Sequence, residues 1–167
     1  YVDVINNLII DIKNNLDPDM KNYTNVKGGM TDWKYFIDKP LFKNFIVYLI
    51  NKHQVTHPNI FEYFLEKNTI QNAWGNEIKK KDSLDFHSHP CLHGILYLTT
   101  GCDLILPELN IKITPEPGDY YIFPSEILHG FEENKVEQIR YSLIFNIAEN
   151  NHFEYAKKVK ELNEKNS

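Results

Sequence analysis

Three of the chain's seven histidines, His87, His89 and His93, fall within seven positions of the stretch LDFHSHPCLHGILYLTTG, residues 84–101. They stand at the mouth of an apolar run, Ile95 to Leu98. On a strand, side chains at i and i+2 share a face, so His87 and His89 can converge on one ion. Neutral imidazoles suit Fe, Zn, Cu or Ni. A lone His-x-His also fits a proton relay or a decorated turn, so the pair needs company. His129 supplies it from GDYYIFPSEILHGF, residues 118–131. A distant strand that brings His129 back to the pair would give a metal the rigid closure it needs. Next comes RYSLIFNI, in which Arg140 and Ser142 share a strand face. Burying an unpaired guanidinium in an apolar strand costs several kcal/mol. An inward Arg140 therefore wants a carboxylate, and a small-molecule carboxylate would form a bidentate pair with it. The alternative is an Arg140 at the rim, facing water or paired with Glu137.

The elements that must position these residues are legible in outline. From about Ile70 the chain breaks into short runs rich in Ile, Leu, Tyr and Phe, punctuated by Gly75-Asn76, Lys81-Asp82, Gly101, Pro107, Pro115 to Gly118 and Glu133-Asn134. Strands are expected near 70–78, 84–88, 93–99, 103–106, 109–114, 119–124, 127–132 and 137–147, the texture of a small barrel or jelly roll. Ahead of them, Val4, Ile5, Leu8, Ile9, Ile12 and Leu16 recur at helical spacing over residues 1–16. A second helix is expected after Pro40, with Phe42, Phe45, Ile46, Leu49 and Ile50 on its apolar face. A third is expected over 60–66, and a closing helix over 151–166. The loops at the barrel mouth, such as Val26 to Trp33, are where specificity would lie.

The 167 residues suggest one domain: a helical N-terminal part, 1–69, a jelly-roll core, 70–147, and a C-terminal helix, 151–166. A hydrophobic content of 42% argues against a disordered chain, and a net charge of −5 against a broad nucleic-acid face. Lys79-Lys80-Lys81 reads as a solvated turn. No stretch of about 18 apolar residues suggests a membrane span. Asp3, Asp11 and Lys13 make the opening segment unlike a signal peptide, and a start on Tyr1 leaves room for residues ahead of it. Cys91 and Cys102 do not make a disulfide framework and are expected to be buried, inert thiols, with a reactive Cys91 beside the histidines as the alternative. A reduced, cytoplasmic setting is the simplest reading. His53, His57 and His152 are expected to be surface residues, and the oligomeric state is open.

Taken together, the motifs resemble those of the 2-oxoglutarate/Fe(II)-dependent oxygenases, especially small members related to prolyl hydroxylases. The matching pieces are Trp74-Gly75-Asn76, His87-Ser88-His89-Pro90, Gly94 to Leu98, Phe123-Pro124-Ser125, His129, and Arg140-Tyr141-Ser142 running on to Asn146, within residues 70–147. The resemblance implies a double-stranded β-helix and an enzyme in which His87 and His129 bind Fe(II). It implies that Arg140, helped by Ser142, holds the distal carboxylate of 2-oxoglutarate. Tyr97 would donate its hydroxyl to the same group and Asn76 would line the pocket. The implied reaction consumes O2, oxidises a small-molecule or peptide substrate, most simply by hydroxylation, and releases succinate and CO2. One departure stands out: the usual second ligand is a carboxylate, and here it is His89. The nearest carboxylate, Asp85, lies two residues from His87 and would share its face on a regular strand. The rival is a metal cupin with His87, His89 and His129 as ligands and His93 as a fourth. It shares the fold but has no need of Arg140-x-Ser142.

Overall fold

The computed structural model describes residues 2–22, 24–54, 68–88, 91–124 and 126–149. The expected helices over 60–66 and 151–166 lie outside these residues, as do His57, His89 and His152, and the side chain of His53 is likewise outside the description.

Helix α1 spans Val2–Asn14 and helix α2 spans Pro40–Gln54. The chemistry of α1 suits its ends: Asp3 lies in the first turn and Lys13 in the last, each complementing the helix dipole. Its helical spacing puts Leu8 and Ile12 on the buried side. Pro40 opens α2, where its fixed φ and missing N–H do no harm.

Among the described residues ten strands follow or interleave: β1 (Val26–Lys27), β2 (Gly29–Met30), β3 (Asn68–Ile78), β4 (Ser83–His87), β5 (Leu92–Tyr97), β6 (Leu104–Leu106), β7 (Ile111–Ile113), β8 (Tyr120–Pro124), β9 (His129–Phe131) and β10 (Arg140–Glu149). The eight strands expected after residue 70 are present, most of them somewhat shorter than expected. The expected mouth loop is corrected: residues 26–30 add a short strand to the edge of each sheet, because Val26 pairs with Leu84 and Met30 with Asn76. The strands form two five-stranded antiparallel sheets, ordered β1-β4-β9-β6-β7 and β2-β3-β10-β5-β8. This is the double-stranded β-helix architecture.

Period-two alternation splits the second sheet into two chemistries. On its outer face Tyr141, Leu143, Phe145 and Ile147 pack with Leu96 and Leu98 against Leu8 and Ile12 of α1 and Phe42 and Leu49 of α2. On its inner face Trp74, Ile78, Ile95, Tyr97 and Ile144 pack with Val26, Leu104 and Phe131. The helices therefore back one sheet, and the other face of that sheet is left to build an interior between the sheets. Glycine permits two of the tightest approaches. A Cβ on Gly94 would lie 2.2 Å from the Phe145 ring, and one on Gly75 would lie 2.4 Å from Ile12.

Candidate active site

A cavity of about 570 Å³ opens between the two sheets. That volume is within the range of small-ligand pockets, roughly 300–1,000 Å³. The inner face of the second sheet supplies its wall in register rows. Asn76, Ser142 and Tyr97 form one row across β3, β10 and β5. Trp74, Ile144 and Ile95 form the next, and Asn72, Asn146 and His93 the third. The first sheet faces them with Leu84, His87, His129 and Phe131.

His87 and His129 are direct partners in the β4–β9 ladder, with ring centroids 4.4 Å apart. His87 is half-buried and His129 is fully buried. Each holds its Nδ1 against a backbone carbonyl at 2.7 Å, His87 against Asp85 and His129 against Ile127. A carbonyl can only accept, so Nδ1 carries the proton and Nε2 keeps the lone pair. That is the tautomer a metal site prefers. His93 joins them, its ring centroid 4.8 Å from that of His129 and its Nδ1 2.9 Å from Asn146 Oδ1. Metal–nitrogen bonds of about 2.1 Å set imidazoles at right angles on one ion roughly 4.5–5 Å apart, centre to centre. Among the described residues, no three His, Cys, Asp or Glu groups form a ready metal cage. Burial and the neighbouring His87 push the His129 pKa below 6.5, against a smaller upward pull from the Ile127 carbonyl. Its imidazole is therefore neutral at pH 7.

Asp85 does not share the cavity face with His87. The ladder slips between Leu84 and His87, so both of these point inward while the two residues between them point out. Asp85 is exposed and lies 3.7 Å from Lys27 Nζ. The period-two expectation fails here because a bulge adds a residue to one strand and resets the alternation.

Arg140 is inward. It is 2% exposed, lines the cavity, and its guanidinium stands 4.2 Å from the centre of the Phe131 ring and 5.1 Å from that of Tyr97. Nη1 donates to the Cys102 carbonyl at 2.9 Å and lies 3.1 Å from Cys102 Sγ. Nε has no hydrogen-bond partner among the described residues, and no described carboxylate pairs with the guanidinium. Glu137, the alternative partner, pairs with Lys80 instead. Beside Arg140, the Tyr97 hydroxyl and the Ser142 hydroxyl are also buried and lack partners among the described residues. Burial pushes the Tyr97 pKa up to about 12, more than Arg140 pulls it down, so the phenol stays a donor. Burial likewise raises the Cys102 pKa over the opposing pull of Arg140, and the thiol stays protonated. Asn76 lines the cavity and accepts from Trp74 Nε1 at 3.0 Å. Cys91 also stands on the cavity wall, and both cysteines are half-buried rather than buried as expected.

The structure thus brings His87, His129, Arg140 and Asn76 to one cavity, with the Tyr97 ring against Arg140 and Ser142 paired with Tyr97 across the β5–β10 ladder; His89 lies outside the described residues. It adds Asn72, Asn146 and Lys34 to the cavity wall, residues the sequence reading did not single out for the site, and it brings Val26 and Trp33, the ends of the expected mouth segment, to the same wall. The signal for one of them, Asn72, was available. Asn72, Trp74 and Asn76 alternate along β3 and so share a face. Lys34 carries no local signal, because it reaches the cavity through the fold of the N-terminal segment.

No family model matches the sequence, and no curated protein matches it. Solved structures do match in fold. The collagen prolyl hydroxylase of Paramecium bursaria chlorella virus 1, in its 2-oxoglutarate complex, superposes with a TM-score of 0.65 at 15% identity, over 88% of this chain and 90% of that one. HygX of Streptomyces hygroscopicus, with nickel and 2-oxoglutarate bound, superposes with a TM-score of 0.64 at 11% identity, over 90% of this chain and 80% of that one. At such identities the likeness is one of fold.

Proposed function

We propose that this chain is an Fe(II)- and 2-oxoglutarate-dependent oxygenase that hydroxylates a small-molecule or peptide substrate. The observation that carries the reading is Arg140, a guanidinium buried with no counter-ion among the described residues, in a cavity that also holds two ladder-paired imidazoles. A buried cation of this kind is costly unless an anion arrives to meet it. The adjoining Tyr97 and Ser142 hydroxyls, buried and lacking partners among the described residues, fit the same carboxylate.

His87 and His129 would hold the metal through Nε2, with His89 as third ligand. Their Nδ1–H groups, tied to the chain's own carbonyls, keep both rings oriented for this. When bound, Fe(II) and 2-oxoglutarate supply the oxidising chemistry: one oxygen of O2 ends in the new C–OH and the other in succinate, with loss of CO2. The protein's part is to bind and to exclude water. Arg140 and Tyr97 anchor the far carboxylate of the cosubstrate, which aims its keto acid end toward the imidazoles. Phe131, Ile95 and Ile144 keep that space apolar.

The test is binding and turnover together. The Fe(II) protein is expected to release succinate from 2-oxoglutarate in air. Arg140→Ala is expected to weaken 2-oxoglutarate by ~2–5 kcal/mol, the cost of truncating one partner of a buried charge pair. Unchanged affinity in that variant, or no succinate, refutes the reading. A metal cupin is the second reading, favoured by one observation: the His93 ring lies as close to His129 as a further ligand would. It expects metal binding to fall with His93→Ala and 2-oxoglutarate to have no effect.

A further inference from the structure

The cavity has a second cationic feature besides Arg140. The chain carries a net charge of −5, yet the described cavity wall includes two formal cations, Arg140 and Lys34, and no carboxylate. Lys34 is exposed, and its ammonium enters no ion pair among the described residues. Next to it the two tryptophans, Trp33 and Trp74, meet edge to face with centroids 4.7 Å apart and give the wall an apolar, aromatic surface. Behind them Asn72 Oδ1 is buried and has no donor among the described residues. A buried amide oxygen left without a donor costs ~1–3 kcal/mol. These features describe a ligand: an apolar body for the indoles, an N–H or O–H for Asn72, and a negative charge for Lys34.

We propose that the prime substrate is a small organic anion, a carboxylate or phosphate ester, carrying an N–H or O–H donor beside its apolar part. This rests on the oxygenase reading, in which Arg140 is already satisfied by the cosubstrate and Lys34 is the cation left over. Lysine takes either anion as a point charge, so the shared chemistry is the charge itself. A low-dielectric cleft lined by one sign of charge concentrates anions at its mouth.

Both tryptophans of the chain line this cavity, so tryptophan fluorescence reports its occupation. The full chain, loaded with Ni(II) and saturating 2-oxoglutarate, is titrated with four probes: N-acetyl-leucine, its methyl ester, N-acetyl-N-methyl-leucine and butyl phosphate. The acid is expected to bind about tenfold more tightly than its ester. Lys34→Met is expected to bring that ratio near one. Asn72→Leu is expected to erase the preference for N-acetyl-leucine over its N-methyl form. Tight binding of butyl phosphate with weak binding of N-acetyl-leucine assigns the charge to phosphate and upholds the anion class. Equal binding of acid and ester, a ratio unchanged in the Lys34 variant, or no saturable response to either anion overturns the proposal. The oxygenase reading is tested separately in the same cuvette, since it fails if 2-oxoglutarate itself binds the wild type and Arg140→Ala alike.

Discussion

Three polar groups beside the cavity are buried and have no hydrogen-bond partner among the described residues: Arg140 Nε, the Tyr97 hydroxyl and the Ser142 hydroxyl. Such groups cost stability in the free protein and are repaid only when a ligand pairs with them. Tyr97→Phe should therefore have opposite effects on the two states. Thermal unfolding of the ligand-free protein should be unchanged or raised by up to ~1 kcal/mol, because an unpaired hydroxyl is removed. Affinity for 2-oxoglutarate, measured by calorimetry, should fall by ~1–3 kcal/mol, because a bond to a charged acceptor is lost. His129 sets the pH dependence. Its folded pKa lies below the ordinary 6.5, so the unfolded chain takes up the proton first as pH falls. The metal-free protein should lose stability below about pH 6.5, and His129→Gln should flatten that limb of a denaturation series. Protons compete for the same Nε2, so metal affinity should fall over the same range.

At the level of elements, the ladders that carry the site hold two departures from regular strand geometry. The bulge in β4 turns Asp85 out to Lys27 and keeps Leu84 and His87 in. A second register shift, between Asn146 and Ile147 of β10, follows the residue that holds His93. The first turns His87 inward where unbroken alternation would not, whereas Asn146 is already inward in regular alternation with Ser142 and Ile144. The strand pair β5–β10 also has no room for change, since Gly94 lies under the Phe145 ring. Gly94→Ala should cost ~1–3 kcal/mol by overpacking, read as a lower denaturant midpoint with an unchanged m-value. The shift in β10 should disturb the Asn146–His93 contact as well. Much of this level was legible beforehand: α1, α2 and the eight core strands follow from apolar spacing and turn residues. The bulges were not, because an added residue leaves no mark on composition and is chosen by the pairing partner.

For the whole molecule, the helices and the cavity lie on opposite faces of one sheet. Leu8 and Ile12 of α1 back Leu143 and Phe145, whose strand neighbours Arg140, Ser142 and Ile144 look inward. Ligands that bind only the folded state stabilise it by about 2.7 kcal/mol at a hundred times their dissociation constant. For a chain of 167 residues that is a rise of roughly 5–10 °C in Tm. Scanning calorimetry with Ni(II) and 2-oxoglutarate should show it, and Arg140→Ala should lose the 2-oxoglutarate increment alone. No described helix is long and apolar enough to cross a membrane.

The spacing of His87, His129, Arg140 and Ser142, and the alternation that turns Arg140 and Ser142 to one side, were properties of the sequence by itself. They are local or periodic, and strand geometry alone converts them into shared faces. What only the tertiary structure decided was which groups keep company across long separations. Asp85 faces out, Arg140 has Cys102 and two rings but no described carboxylate, His93 stands beside His129, and Lys34 joins the wall from the N-terminal segment. Those outcomes depend on which strands pair and where the pairing slips, an energy shared by many distant contacts.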